Sequence, residues 1–177
     1  MPSHLLAVYQ TNGPSRKPVL MPIDATRYDR GFRISLNLPH CKPGSIAPVP
    51  HLAIASNGKQ QLVVTLPIVA VTVPNIASLP LLLLFAFTLE THLDTLAYRL
   101  LPKSAVSEFP SAASMAGVFA RVTDTDDFEK LFRQNFGMWG NMLALGLREG
   151  RVEEVIRLCW NVTAEAKRIR GFTGGMI

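Results

Sequence analysis

The sequence predicts a mainly α protein: a small helical domain in the C-terminal half, behind an irregular, proline-rich N-terminal region. Three observations predict it. From Ser78 onward, apolar residues recur at three- and four-residue spacing, the period of an amphipathic helix. Eight prolines punctuate the first 61 residues, a density of breakers at which no helical period survives. The chain is 48% apolar and 18% charged, which argues for a packed core and against disorder along its length.

Residues 1–61 read as a Pro/Gly-rich arm. Within it, Arg33 to Leu38 alternates polar and apolar residues and predicts one short strand that stops at Pro39. The arm is basic, with Arg16, Lys17, Arg27, Arg30, Arg33, Lys42 and Lys59 against Asp24 and Asp29. Met1 to Gln10 lacks the basic start and long apolar run of a signal peptide. Cys41 and Cys159 stand far apart and predict no disulfide framework, so the expected compartment is intracellular, nucleus or cytoplasm.

Residues 62–77 belong to an uncharged run from Gln60 to Leu89, long enough to be a membrane-span candidate. Pro67, Pro74 and Pro80 break it. Leu62 to Thr65 and Ile68 to Val73 are rich in β-branched residues and suit buried strands. The difference in character between Lys59 to Ile76 and its flanks also admits a translated intron.

Residues 78–171 predict an all-helical domain, followed by a flexible tail over 172–177. Ser78 and Pro80 open a helix to about Glu90. A second spans Leu93 to Leu101 and ends at Pro102, and a short turn covers Lys103 to Phe109. Ser111 caps a third at Ala112 to Val122. Asp124 or Thr125 caps a fourth to about Glu149, with Phe128, Leu131, Phe132, Phe136, Trp139, Met142, Leu143 and Gly146 as its apolar stripe. Gly137 and Gly140 weaken its middle by roughly 1 kcal/mol each relative to Ala. Gly150 is expected to end it, and a fifth helix spans Arg151 to Arg170 with Gly171 beyond its end. On that helix Val152, Val155, Ile156, Cys159, Val162, Thr163, Ala166 and Ile169 form one face.

Sites of chemistry are sparse. Asn57-Gly58-Lys59 is followed by Gln60 and lacks the hydroxyl of a phosphate loop. His40-Cys41 has no companion pair at zinc-like spacing. No nucleophile elbow occurs, and Glu90/Asp94 and Asp127/Glu129 read as caps or solvated faces. Asn161-Val162-Thr163 fits a glycosylation acceptor but falls inside a helix. No catalytic residue, cofactor or metal is expected. Trp160, beside the core face, and Arg157, one turn earlier, are the candidate contacts for an unidentified protein partner. Arg27, Arg30 and Arg33, interleaved with Tyr28 and Phe32, are the candidate nucleic-acid contacts.

The stretches Ser78 to Phe87, Glu90 to Pro102, Asn141 to Arg148 and Trp160 to Arg168 resemble the clampless-type proteins of basidiomycete fungi, over roughly residues 78–170. The resemblance implies a non-enzymatic regulatory protein that acts through protein–protein interaction in fungal sexual development and clamp-cell formation. It transfers no catalytic residue. The alternatives are a membrane-associated protein anchored by residues 62–89 and, third, a weak nucleic-acid-binding protein.

Overall fold

The computed structural model describes residues 2–11, 17–38 and 49–173. Among them lie seven helices and two small sheets, so the fold is an α/β mixture and the mainly α expectation is corrected. The N-terminal strands overturn it.

Strand β1 (His4–Gln10) is the centre of a three-stranded sheet. Strand β2 (Val19–Ile23) runs antiparallel to it, with Leu6 opposite Met21. The short apolar run of β1 is a strand held between two neighbours that lie elsewhere in the sequence. Pro22 sits in β2, an edge strand, where a missing donor is tolerated. A dense run of prolines excludes long helices without excluding such edges. Asp24 then caps helix α1 (Ala25–Gly31), accepting from the Arg27 amide at 2.9 Å.

The predicted strand at 33–38 does not form. Residues 31–34 instead run beside 145–148, with Arg33 N donating to Gly146 O at 2.7 Å and Arg148 N to Gly31 O at 2.9 Å. Phe32 bridges Leu147 in the same stretch. Strands β3 (His51–Ile54) and β4 (Gln60–Val63) form a separate hairpin. Its turn contains Asn57-Gly58-Lys59, with Gly58 at φ +75°. The His40-Cys41 pair lies outside the described residues, as does the C-terminus from residue 174.

Strand β5 (Ile68–Val73) lies parallel to β1 on the other side from β2, with Val8 opposite Val71. Leu6, Val8, Ile23, Val71 and Val73 share the face turned to the helices and are buried. Helix α2 (Leu79–Ala86) follows, burying Leu79, Leu82, Leu83, Phe85 and Ala86. At eight residues it spans roughly 12 Å, against about 30 Å of hydrocarbon in a bilayer. Among the described residues no helix is long and apolar enough to cross a membrane.

Helices α3 (Leu93–Leu100), α4 (Lys103–Val106) and α5 (Ala112–Val122) fall close to their predicted positions. Helix α6 (Thr125–Leu145) ends four residues early, at Gly146 with φ +65°, and Gly150 opens helix α7 (Gly150–Thr173). Helix α7 also continues through Gly171. Helices α3, α5 and α6 all pack on α7. Val152, Ile156, Cys159, Val162, Thr163 and Ala166 of α7 are buried. One core joins β1, β5, α1, α2 and the C-terminal helices, so Tyr28 and Phe32 belong to the same cluster as Phe119 and Met138.

The β5–α2 link is locked to α6 by a buried polar knot. The Asn141 side chain accepts from Asn75 N at 3.0 Å and donates to Asn75 O at 2.6 Å and to Ser78 Oγ at 3.0 Å. Asn75 Oδ1 accepts from Ser78 N at 2.9 Å. Ser78 thus receives a cap where it was expected to provide one. Gly137 and Gly140 make room for this link, because a Cβ on Gly137 would sit 2.5 Å from Asn75 Cγ and one on Gly140 3.1 Å from Pro74 Cβ.

Candidate functional site

The buried face of α6 follows the predicted stripe at Phe128, Leu131, Phe132, Trp139 and Met142 and departs from it at Phe136 and Leu143. Phe128, Asn135, Met138, Asn141, Met142 and Leu145 point inward. Asn135 is buried because its amide donates to Leu100 O at 2.6 Å, satisfying a carbonyl at the end of α3. With two asparagines taking core positions, Phe136 and Leu143 turn outward, each 59% exposed.

On that outer face Phe136 meets Trp160 of α7. Ring centroids are 5.6 Å apart for Phe136–Trp160, 5.8 Å for Phe132–Trp160 and 6.5 Å for Phe132–Phe136. Such tilted and offset contacts hold rings in place beyond their area burial. Lys167 lies over the Phe132 ring at 3.7 Å, a cation–π contact that holds positive charge at the patch margin. Arg133 is exposed one turn before Phe136. Arg157 is exposed one turn before Trp160 and donates to Glu153. Trp160 is half-buried, as is Trp139. The patch therefore contains Trp160 and Arg157, and adds Phe136 and Leu143, which the sequence placed in the core, with Phe132 packed between the core and the patch. Large outward aromatics in mutual contact are the composition of an interface centre.

Arg27, Arg30 and Arg33 do not act as one stripe. Tyr28 and Phe32 between them are core residues 4.9 Å apart, each 1% exposed, and offer no ring face for a base. Their interleaving is the pattern of an amphipathic helix. Arg27 Nη1 donates to Phe87 O at 2.8 Å, capping the end of α2. Arg33 packs against Gly146, where an added Cβ would lie 3.1 Å from the Arg33 Cβ.

Glu90, the Asp124 cap, Thr163 and Cys159 have structural roles. Glu90 accepts from the amides of Thr91 and His92 and from His92 Nδ1, each at 2.8 Å. The His92 backbone bond leads in holding the Glu90 carboxyl below its ordinary range. Asp124 accepts from Asp127 N at 3.0 Å as the cap of α6, which likewise lowers its carboxyl. Thr163 is buried and donates to Cys159 O at 2.7 Å, so the glycosylation triplet is held in the helix. Burial pushes the Cys159 thiol up to about 12, leaving little thiolate at neutral pH. Among the described residues no group of three or more His, Cys, Asp or Glu could hold a metal ion.

Comparison with protein-family models, with curated proteins and with solved structures returned no match for this chain.

Proposed function

We propose that this chain is a non-enzymatic regulatory protein that acts by docking a partner protein on the outer face of the α6–α7 hairpin. The observation that carries the reading is the contiguous Phe132–Phe136–Trp160 cluster, extended along α6 by Leu143, on two well-packed helices. Lys167 borders the Phe132 ring and Arg133 is exposed one turn before Phe136, while Glu129 lines the same cleft as Lys167 and Glu153 offsets Arg157. The charge balance favours a partner segment that presents apolar side chains beside carboxylates. The resemblance to clampless-type proteins supports a role in fungal sexual development and clamp-cell formation, in the nucleus or cytoplasm.

The test places a photo-reactive phenylalanine analogue at position 136 in the expressed protein, with position 98 as an exposed aromatic control. Adducts from position 136 that vanish on Trp160→Ala are expected, with none from position 98. Equal adducts from both positions, or none from 136, would refute the docking surface. Turnover of a metabolite by the purified chain would refute the non-enzymatic part.

A further inference from the structure

A second surface, away from the aromatic patch, gathers positive charge in a concavity. Arg27 and Arg30 of α1 and Arg148 of the α6–α7 turn line one cleft of about 410 Å³, with Glu149 as the one acidic residue of its wall. Two of the three guanidinium groups are aimed by the backbone: Arg27 Nη1 donates to Phe87 O at 2.8 Å and Arg148 Nε to Phe32 O at 2.7 Å. A guanidinium carries five donors in a planar fork, so one bond to a carbonyl sets its orientation and the remaining donors suit a tetrahedral oxyanion. Gly31 permits the closure that forms the wall, since a Cβ there would lie 2.7 Å from Ala86 O.

The cleft continues into a smaller, less polar one of about 190 Å³, where Phe85, Leu93 and Val152 contribute apolar surface. Thr88 and Glu149 line both. Thr88 is a β-branched residue held at φ +54°, in the left-handed region that such residues avoid. The left-handed turn at Thr88 ends α2, with Leu89 N donating back to Leu84 O at 3.0 Å, and so sets the rim shared by both clefts.

We propose that this composite cleft binds a phosphomonoester with a small apolar body, its phosphoryl group on Arg27, Arg30 and Arg148 and its body toward Phe85, Leu93 and Val152. At the head end three cations stand against Glu149, which suits a dianionic head, while Glu90 and Arg151 offset each other in charge on the wall of the smaller cleft. A nucleic-acid backbone is the poorer match, because Arg33 turns away to Gly146 and the rings between the arginines, Tyr28 and Phe32, are buried.

The test follows backbone amide resonances of the full chain while inorganic phosphate, butyl phosphate or a single-stranded oligothymidylate is titrated at fixed ionic strength. Saturable shifts centred on Gly31, Thr88 and Glu149 are expected, with butyl phosphate binding more tightly than inorganic phosphate. Arg30→Gln should weaken butyl phosphate about tenfold, the loss of one charged hydrogen bond. Arg121→Gln, an exposed arginine on α5 that does not line the cleft, should leave it unchanged. If Arg30→Gln impairs folding, Arg148→Lys keeps the charge, loses the fork and should show the same weakening. Equal weakening by Arg121→Gln, no saturation by about 10 mM, or oligothymidylate binding that butyl phosphate cannot displace would each overturn the proposal.

Discussion

Replacing glycines of the C-terminal helices by alanine separates helix propensity from close packing. Alanine is favoured over glycine inside a helix by roughly 1 kcal/mol. At Gly117 the new Cβ would meet only Arg121 Nη2, at 3.6 Å, the end of a flexible side chain. Gly117→Ala should therefore gain about 1 kcal/mol. At Gly140 the nearest atom is Pro74 Cβ at 3.1 Å, and a shift of a few tenths of an ångström offsets most of the gain. At Gly137 the new methyl would lie 2.5 Å from Asn75 Cγ and 2.7 Å from Asn75 Cβ. Asn75 cannot retreat without loosening its bonds to Ser78 and Asn141. Overpacking of about 1–3 kcal/mol adds to loss of about 1 kcal/mol per weakened hydrogen bond. The net cost of Gly137→Ala is then about 1–3 kcal/mol after the helical gain is subtracted. Urea denaturation followed by circular dichroism should rank Gly117→Ala above wild type, Gly140→Ala near it and Gly137→Ala last. Each kcal/mol should move the melting temperature by roughly 2–4 °C in a chain of this size. A Gly137→Ala protein as stable as wild type, with an unchanged denaturant slope, would refute the placement of the 74–75 link on α6.

Other substitutions probe the polar interior and the buried thiol of Cys159. Asn141→Ala removes the partner of two Asn75 backbone groups and of Ser78 Oγ and should cost about 3 kcal/mol, read from the same denaturation curves; a loss below about 1 kcal/mol would deny the knot its role. The Tyr28 hydroxyl is buried with no hydrogen-bond partner among the described residues, and burial, reinforced by Asp29, pushes the phenol up to about 12. Tyr28→Phe should leave stability unchanged or raise it by about 1 kcal/mol, and a clear loss in thermal melts would show a partner for that oxygen. In a Cys41→Ser background, Cys159 should resist a thiol reagent at pH 8 until denaturant unfolds the chain; rapid labelling of the native protein would contradict its burial.

The C-terminal elements were legible because their evidence is local. The inward residues of α7 follow a helical period, and Ser111 and Asp124 announce their helices as side-chain caps. Strand β5 was legible from its β-branched run. The N-terminal half was not, since β1 is a strand only by virtue of partners at residues 19–23 and 68–73. On α6 the polar Asn135 and Asn141 take core places through bonds to distant carbonyls, which shifts Phe136 and Leu143 to the surface. Hydropathy carries no sign of those bonds. Gly137 and Gly140 read as weak points because nothing nearby in sequence reveals the link that lies against them. Of the two surfaces, Trp160 and Arg157 were visible as candidates, whereas the basic cleft needs Arg148, brought to Arg30 only by the pairing of residues 31–34 with 145–148.

The parallel pairing of β1 with β5 has a consequence for how the protein is made. Leu5 leaves the ribosome first, yet its partner Ile68 follows 63 residues later. At ordinary rates of synthesis that is a wait of roughly 3–13 s. Until then the middle strand of the sheet has one antiparallel neighbour, β2, and an open apolar edge available to other nascent chains. The helices that cover its inner face emerge later still. Strand β1 therefore keeps one edge open across that interval, and shielding that edge during translation is what the parallel pairing demands.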